Sequence, residues 1–83
     1  MTNTIECVVA QVSCAEDQSV LTVFPITRAP DMRIDPASAI DLTLRREAWQ
    51  TRESHRDHVR HIVGRRGTIQ YDDHHMIATI RHH

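Results

Sequence analysis

Between residues 4 and 14 nearly every position is apolar or small, and the apolar side chains divide into two alternating sets. Ile5, Cys7 and Val9 form one; Val8, Ala10 and Val12 form the other. A period of two is the signature of extended backbone, whose successive side chains point to opposite faces. Ala15-Glu16-Asp17-Gln18 is a polar turn. Residues 19–26 then repeat the pattern, with Val20 and Phe24 set against Leu21 and Val23. Two such runs around a short polar turn predict a hairpin. Because both faces are apolar, both need a cover, which suits a barrel or a covered sheet better than an open one.

All three prolines (Pro25, Pro30 and Pro36) fall within residues 25–37, which read as a loop, since proline fixes φ and lacks a donor. The next segment carries conflicting signals. Asp35-Pro36 and Ser38-x-x-Asp41 both resemble helix starts, yet Ile40, Leu42 and Leu44 alternate with Asp41, Thr43 and Arg45. On a helix, Leu42 would point nearly opposite to Ile40 and Leu44. The alternation therefore predicts a third strand.

Over residues 46–63 the period changes. Ala48, Arg52, His55, Val59, Ile62 and Val63 fall within one arc of about 100° on a helix, with Trp49 and Arg56 at its edge. A helix here turns Val59, Ile62 and Val63 toward the sheet and leaves Arg60 and His61 in solvent. Gly64 is a natural stop. Ser54-His55-Arg56-Asp57 fits a capping box, so a regular helix starting only at His55 is the alternative. Arg65-Arg66-Gly67 makes the exit turn. Residues 68–71 and 76–80 predict a second hairpin around Asp72-Asp73-His74-His75.

The resulting order, β-β-β-α-β-β, is that of the oligonucleotide/oligosaccharide-binding (OB) barrel, a five-stranded, partly open Greek key. The fold expected is α+β: either a small curved antiparallel sheet or an OB-like five-stranded barrel, with one helix. Eighty-three residues make a single domain, 1–83. Eight Ile and seven Val against three aromatics favour sheet. A chain of this length buries only a little over 60% of its unfolded surface, so a partner or a homo-oligomer would add stability.

Cys7 and Cys14 are seven apart in one strand, about 23 Å at ~3.3 Å per residue. That is far beyond disulfide reach, and strict alternation puts them on opposite faces. Two reduced thiols suit a cytoplasmic protein. With no leader pattern and no long apolar run, neither secretion nor a membrane partner is expected.

The net charge of −1 conceals an asymmetry: residues 1–44 carry −4, and residues 45–83 carry +3 with every histidine. All ten basic residues are arginine, a planar, permanently charged fork suited to carboxylate or phosphate. Arg52, Arg56 and Arg60 share one helical stripe, beside Glu53, Asp57 and His61. Cross-row pairs (Glu53 with Arg56, Asp57 with Arg60) would offset part of the repulsion. Arg45, Arg46, Arg65 and Arg66 bracket this helix, and with Trp49 they complete a candidate partner-binding surface.

His55, His58 and His61 are the weak candidates for a metal. Each neighbouring pair sits one turn apart, but a zinc site needs three or four converging ligands, and no CxxC or HExxH occurs. Asp57 with His61, and Asp72-Asp73 with His74-His75, are acid–base pairs without a nucleophile or phosphate loop. No catalytic residue and no cofactor is expected. The function expected is non-enzymatic: an accessory, inhibitor or adaptor protein of the phage or mobile-element type, using its Arg/His-rich helix on a larger protein. An OB-type nucleic-acid binder is the first alternative, although the basic excess is small and stacking aromatics are few. A His-based metal or pH sensor is the second.

Overall fold

A computed structural model describes residues 1–15, 17–27 and 33–82. Glu16 of the first turn, most of the proline loop (28–32) and His83 lie outside the described residues. The elements are strands β1 (Asn3–Cys14), β2 (Gln18–Thr27), β3 (Arg33–Ile34) and β4 (Ile40–Arg45), helix α1 (Arg52–Ile62), and strands β5 (Arg66–Tyr71) and β6 (Ile77–His82). A single 3-10 turn over Pro36–Ser38 precedes β4. The sheet order is β3-β2-β1-β5-β6, with β4 paired to β2 beside β3, and every ladder is antiparallel. This is the small curved sheet with one helix that the periodicity predicts. The closed barrel is not formed. The outer edges of β4 and β6 meet at one isolated bridge, Thr43 with Met76, where the Thr43 amide donates to the His75 carbonyl at 2.8 Å.

The inner face carries the core: Cys7, Val9, Leu21, Val23, Leu42 and Ile69 are buried there, and Ile62 of α1 joins them. Val59 and His55 are buried from the same helix. The alternation in β4 is correct, with Leu42 fully buried and Ile40 and Leu44 half-buried around it. Asp35 and Pro36 are also a genuine start, though only of the 3-10 turn: Asp35 accepts a hydrogen bond from the Ala37 amide at 3.1 Å. The loop expected over 25–37 is shorter, because β2 runs through Pro25 to Thr27 and pairs with β3.

Two faces change relative to the sequence reading. The register of β1 against β2 slips between Val9 and Gln11, which makes Ala10 the extra residue of a bulge. Val12 then pairs with Leu21 and Cys14 with Ser19, so Val12 and Cys14 share the inner face with Cys7 and Val9 instead of opposing them. Both thiols are free, Cys7 buried and Cys14 exposed. Burial pushes the Cys7 thiol up to about 11, which keeps it protonated and unreactive.

The helix is also shorter than the apolar arc. Thr51, not Ser54, is the N-cap, its hydroxyl accepting from the Ser54 amide at 3.0 Å. Residues 46–50 form a turn instead, closed by the Gln50 amide on the Glu47 carbonyl (3.0 Å) and by the Glu47 amide on Gln50 Oε1 (3.0 Å). Ala48 and Trp49 are consequently exposed. The helix ends at Ile62. Val63 is already extended and 42% exposed, so it does not face the sheet as expected. Gly64, at φ 81, takes the left-handed position that ends the helix, as predicted.

Candidate functional site

Helix α1 rests its buried side on the sheet, so its exposed side is what the protein presents. Arg52, Arg56 and Arg60 recur at intervals of four, which places them one turn apart on one flank. Because the bulge turns Val12 and Cys14 to the inner face, these two residues floor a groove under that flank. Arg56, Arg60 and Val63 wall one part of it with Val12 and Cys14, and Arg52 and Arg56 wall an adjoining part with Cys14 and Ala15. Neither Arg56 nor Arg60 has an ion pair among the described residues. The expected pairs to Glu53 and Asp57 do not form, and the two guanidinium groups stand open over a partly apolar floor.

The remaining candidates separate from this groove. Arg46 is committed inward: Nη1 donates to the Gln50 carbonyl at 2.6 Å and Nη2 meets Asp17 Oδ1 at 3.1 Å. It pins the 46–50 turn to the β1–β2 turn and is a structural residue, not part of a free binding face. Arg45 and Trp49 lie in a second cleft on the other flank, together with His58. His58 is two residues from both Arg56 and Arg60, about 200° round the helix. Arg65 and Arg66 are exposed at the exit of α1. Thus Arg45, in the second cleft, and Arg46, held by Asp17 and Gln50, do not extend the row of α1 into one patch.

The weak metal candidates do not converge. His55 is only 1% exposed and faces the sheet, hydrogen-bonded through Nε2 to Ser19 Oγ at 2.7 Å. His58 is exposed on the opposite flank from the arginine row. His61 bonds its own helix, Nδ1 donating to the Asp57 carbonyl at 2.6 Å, so the anticipated pairing with the Asp57 carboxylate is not made. Among the described residues no three of His, Cys, Asp or Glu are grouped as metal ligands would be. Asp72-Asp73-His74-His75 is a structural turn. The Asp72 carboxylate accepts from the His74 amide (2.8 Å) and the Met76 amide (3.0 Å), and His75 takes a positive φ of 60°. The Met76 amide above all, with the His74 amide and charge adding to it, holds the Asp72 carboxyl below its ordinary range.

His55 is the polar residue that sequence reasoning placed among the apolar ones without assigning it a partner. Its Nδ1 is buried and has no hydrogen-bond partner among the described residues, and nor does the buried Nε of Arg46. Burial lowers the His55 pKa, and the nearby charges of His58 and Arg46 lower it further. A lowered folded pKa means that the unfolded chain binds the proton more readily. The contribution of His55 is therefore complete above about 6.5 and is lost as pH falls from there through the depressed folded value. We expect urea midpoints that decline over that window, with a flatter profile in His55→Gln. A wild-type midpoint that rises as pH falls through it would refute the assignment.

No helix among the described residues is long and apolar enough to cross a membrane. Comparison with known proteins finds no matching family model, no similar curated protein and no similar solved structure.

Proposed function

We propose that the chain is a non-enzymatic accessory protein, an inhibitor or adaptor of the kind that phages and mobile elements encode, which binds a larger protein through the exposed surface of α1. One observation carries this reading. Arg56 and Arg60 stand one turn apart, without ion pairs among the described residues, beside Val63 and over the floor of Val12 and Cys14. Two free guanidinium forks match carboxylates in fixed geometry, and arginine is enriched where interfaces concentrate their binding energy. The apolar floor adds a gain from dehydration that a purely ionic contact lacks. An acidic protein surface with an apolar side chain at its centre fits both features.

The nucleic-acid alternative draws on the same arginines. Single-stranded binding combines a basic groove with aromatic platforms for the bases, and here Trp49 lies in the cleft on the other flank of α1. We expect no saturable binding of a single-stranded oligonucleotide at low salt, measured by fluorescence anisotropy. Binding that weakens steeply with salt and disappears in Arg52→Glu/Arg56→Glu/Arg60→Glu would move the nucleic-acid reading to first place.

A further inference from the structure

Between helix and sheet lies one polar group that can gain a charge. His55 is on the buried side of α1, 1% exposed, and its Nε2 meets Ser19 Oγ of β2 at 2.7 Å. Ser19 is fully buried as well, so this bond is shielded from solvent. Two buried nitrogens are left without partners among the described residues, Nδ1 of His55 and Nε of Arg46. An arginine Nε is always a donor. The Arg46 charge is close enough to oppose a proton on His55, and the same field favours a bare lone pair on Nδ1. The neutral ring therefore carries its hydrogen on Nε2 and donates it to Ser19 Oγ.

Arg46 is also the anchor of the turn that precedes the helix. Its amide donates to the Asp17 carbonyl at 2.8 Å, Nη2 donates to Asp17 Oδ1 at 3.1 Å, and Nη1 donates to the Gln50 carbonyl at 2.6 Å. Glu47, Ala48 and Trp49 of that turn are exposed. We propose that His55 is a pH-sensitive latch on residues 46–50: the neutral ring lets Arg46 hold the turn, and a second proton, on Nδ1, drives the guanidinium away and frees the turn with Trp49. The groups around the ring offer an added charge no relief. Arg46 acts on it from the turn and His58 from α1 itself, both opposing a proton. From β2 comes the neutral Ser19, and Asp17 of the β1–β2 turn is already bonded to Arg46. A buried imidazolium without a counter-charge must reach water. Lifting α1 would expose Val59 and Ile62, whereas moving the turn gives up only its hydrogen bonds, so the turn moves first. Once it is released, the ring returns toward its ordinary value near 6.5. In the docked form burial first, then His58 and Arg46, hold it lower. The released form thus binds the proton more readily, and it gains population as pH falls from about 6.5 through the docked value.

This latch does not involve the Arg56/Arg60 groove, so its failure would leave the proposed function untouched. Imidazole nitrogen shifts should show the Nε2–H tautomer at neutral pH. On acidification, hydrogen-exchange protection factors of the Arg46, Glu47 and Gln50 amides should fall, together with the fluorescence anisotropy of Trp49, the single tryptophan. Both changes should track the titration of His55, while Val59, Ile62 and the amides of β1 and β2 stay protected. His55→Gln should remove the step. His58→Gln, at an exposed site, should keep the step and move it to higher pH, because one opposing charge is gone. Arg46→Gln should raise the His55 pKa toward its ordinary value and lower the protection of the turn already at neutral pH, since the coupling is reciprocal. An Nδ1–H tautomer, protection lost over the whole chain at once, a turn unchanged across the His55 titration, or a step that survives His55→Gln would each overturn the proposal.

Discussion

Replacing Ile62 with alanine is expected to cost about 2–5 kcal/mol of stability, whereas Arg60→Ala should be nearly neutral. Ile62 is 2% exposed and belongs to the core with Cys7, Val9, Leu21, Val23, Leu42 and Ile69, so it ties α1 to the sheet. Truncation removes buried methyl groups and leaves a cavity that fully packed neighbours can only partly fill. Two residues earlier, Arg60 stands on the exposed flank with no ion pair to lose among the described residues. The pair of variants therefore measures the orientation of the helix in denaturant midpoints. Similar losses at both positions would mean that α1 is rotated from the arrangement described.

Gly67 is expected to be as sensitive, for a different reason. It is buried in β5, opposite Cys7 on one side and His82 on the other. A Cβ there would lie 2.5 Å from the Arg81 carbonyl oxygen, which is backbone and cannot swing aside. Gly67→Val forces β5 and β6 apart, and overpacking of this kind costs about 1–3 kcal/mol, occasionally more. The damage should be local: amide exchange should accelerate over residues 77–82 before it does in β1 and β2. Uniform acceleration across the sheet, or none, would show that the β5–β6 contact is not as described.

The fold was legible wherever a residue's neighbours in sequence are also its neighbours in space. The alternation of Ile40, Leu42 and Leu44 outweighed two helix-start signals because a period of two persisted over the whole segment. Gly64 ended α1 as expected, since a left-handed residue is needed there and glycine adopts it without strain. What escaped depends on distant partners. The bulge at Ala10 leaves no mark in composition, because alanine suits either side of a strand, yet it turns Val12 and Cys14 toward the helix. Thr51 and Ser54 are chemically equivalent caps, and the acid three residues after Ser54 pointed to the wrong one.

The candidate surface was read least completely for the same reason. Arg46 looked like part of a basic patch, but its partner Asp17 lies 29 residues earlier and occupies its guanidinium. His55 fell within the apolar arc of the helix by its period, and it is buried. Its bond to Ser19 spans 36 residues, and no local pattern announces it. The gap between β4 and β6 follows from sheet topology alone. Only the Arg52, Arg56 and Arg60 row, fixed by helical periodicity, passes unchanged from sequence to structure.

Affinity capture from a lysate of the source cells tests whether Arg56 and Arg60 grip an acidic protein surface. Immobilised wild type and Arg56→Glu/Arg60→Glu should be compared after nuclease treatment, with matched thermal melts to confirm that both are folded. A defined protein should be retained by the wild type and lost from the charge-reversed variant. Retention of nucleic acid alone, or of the same protein by both forms, would contradict it.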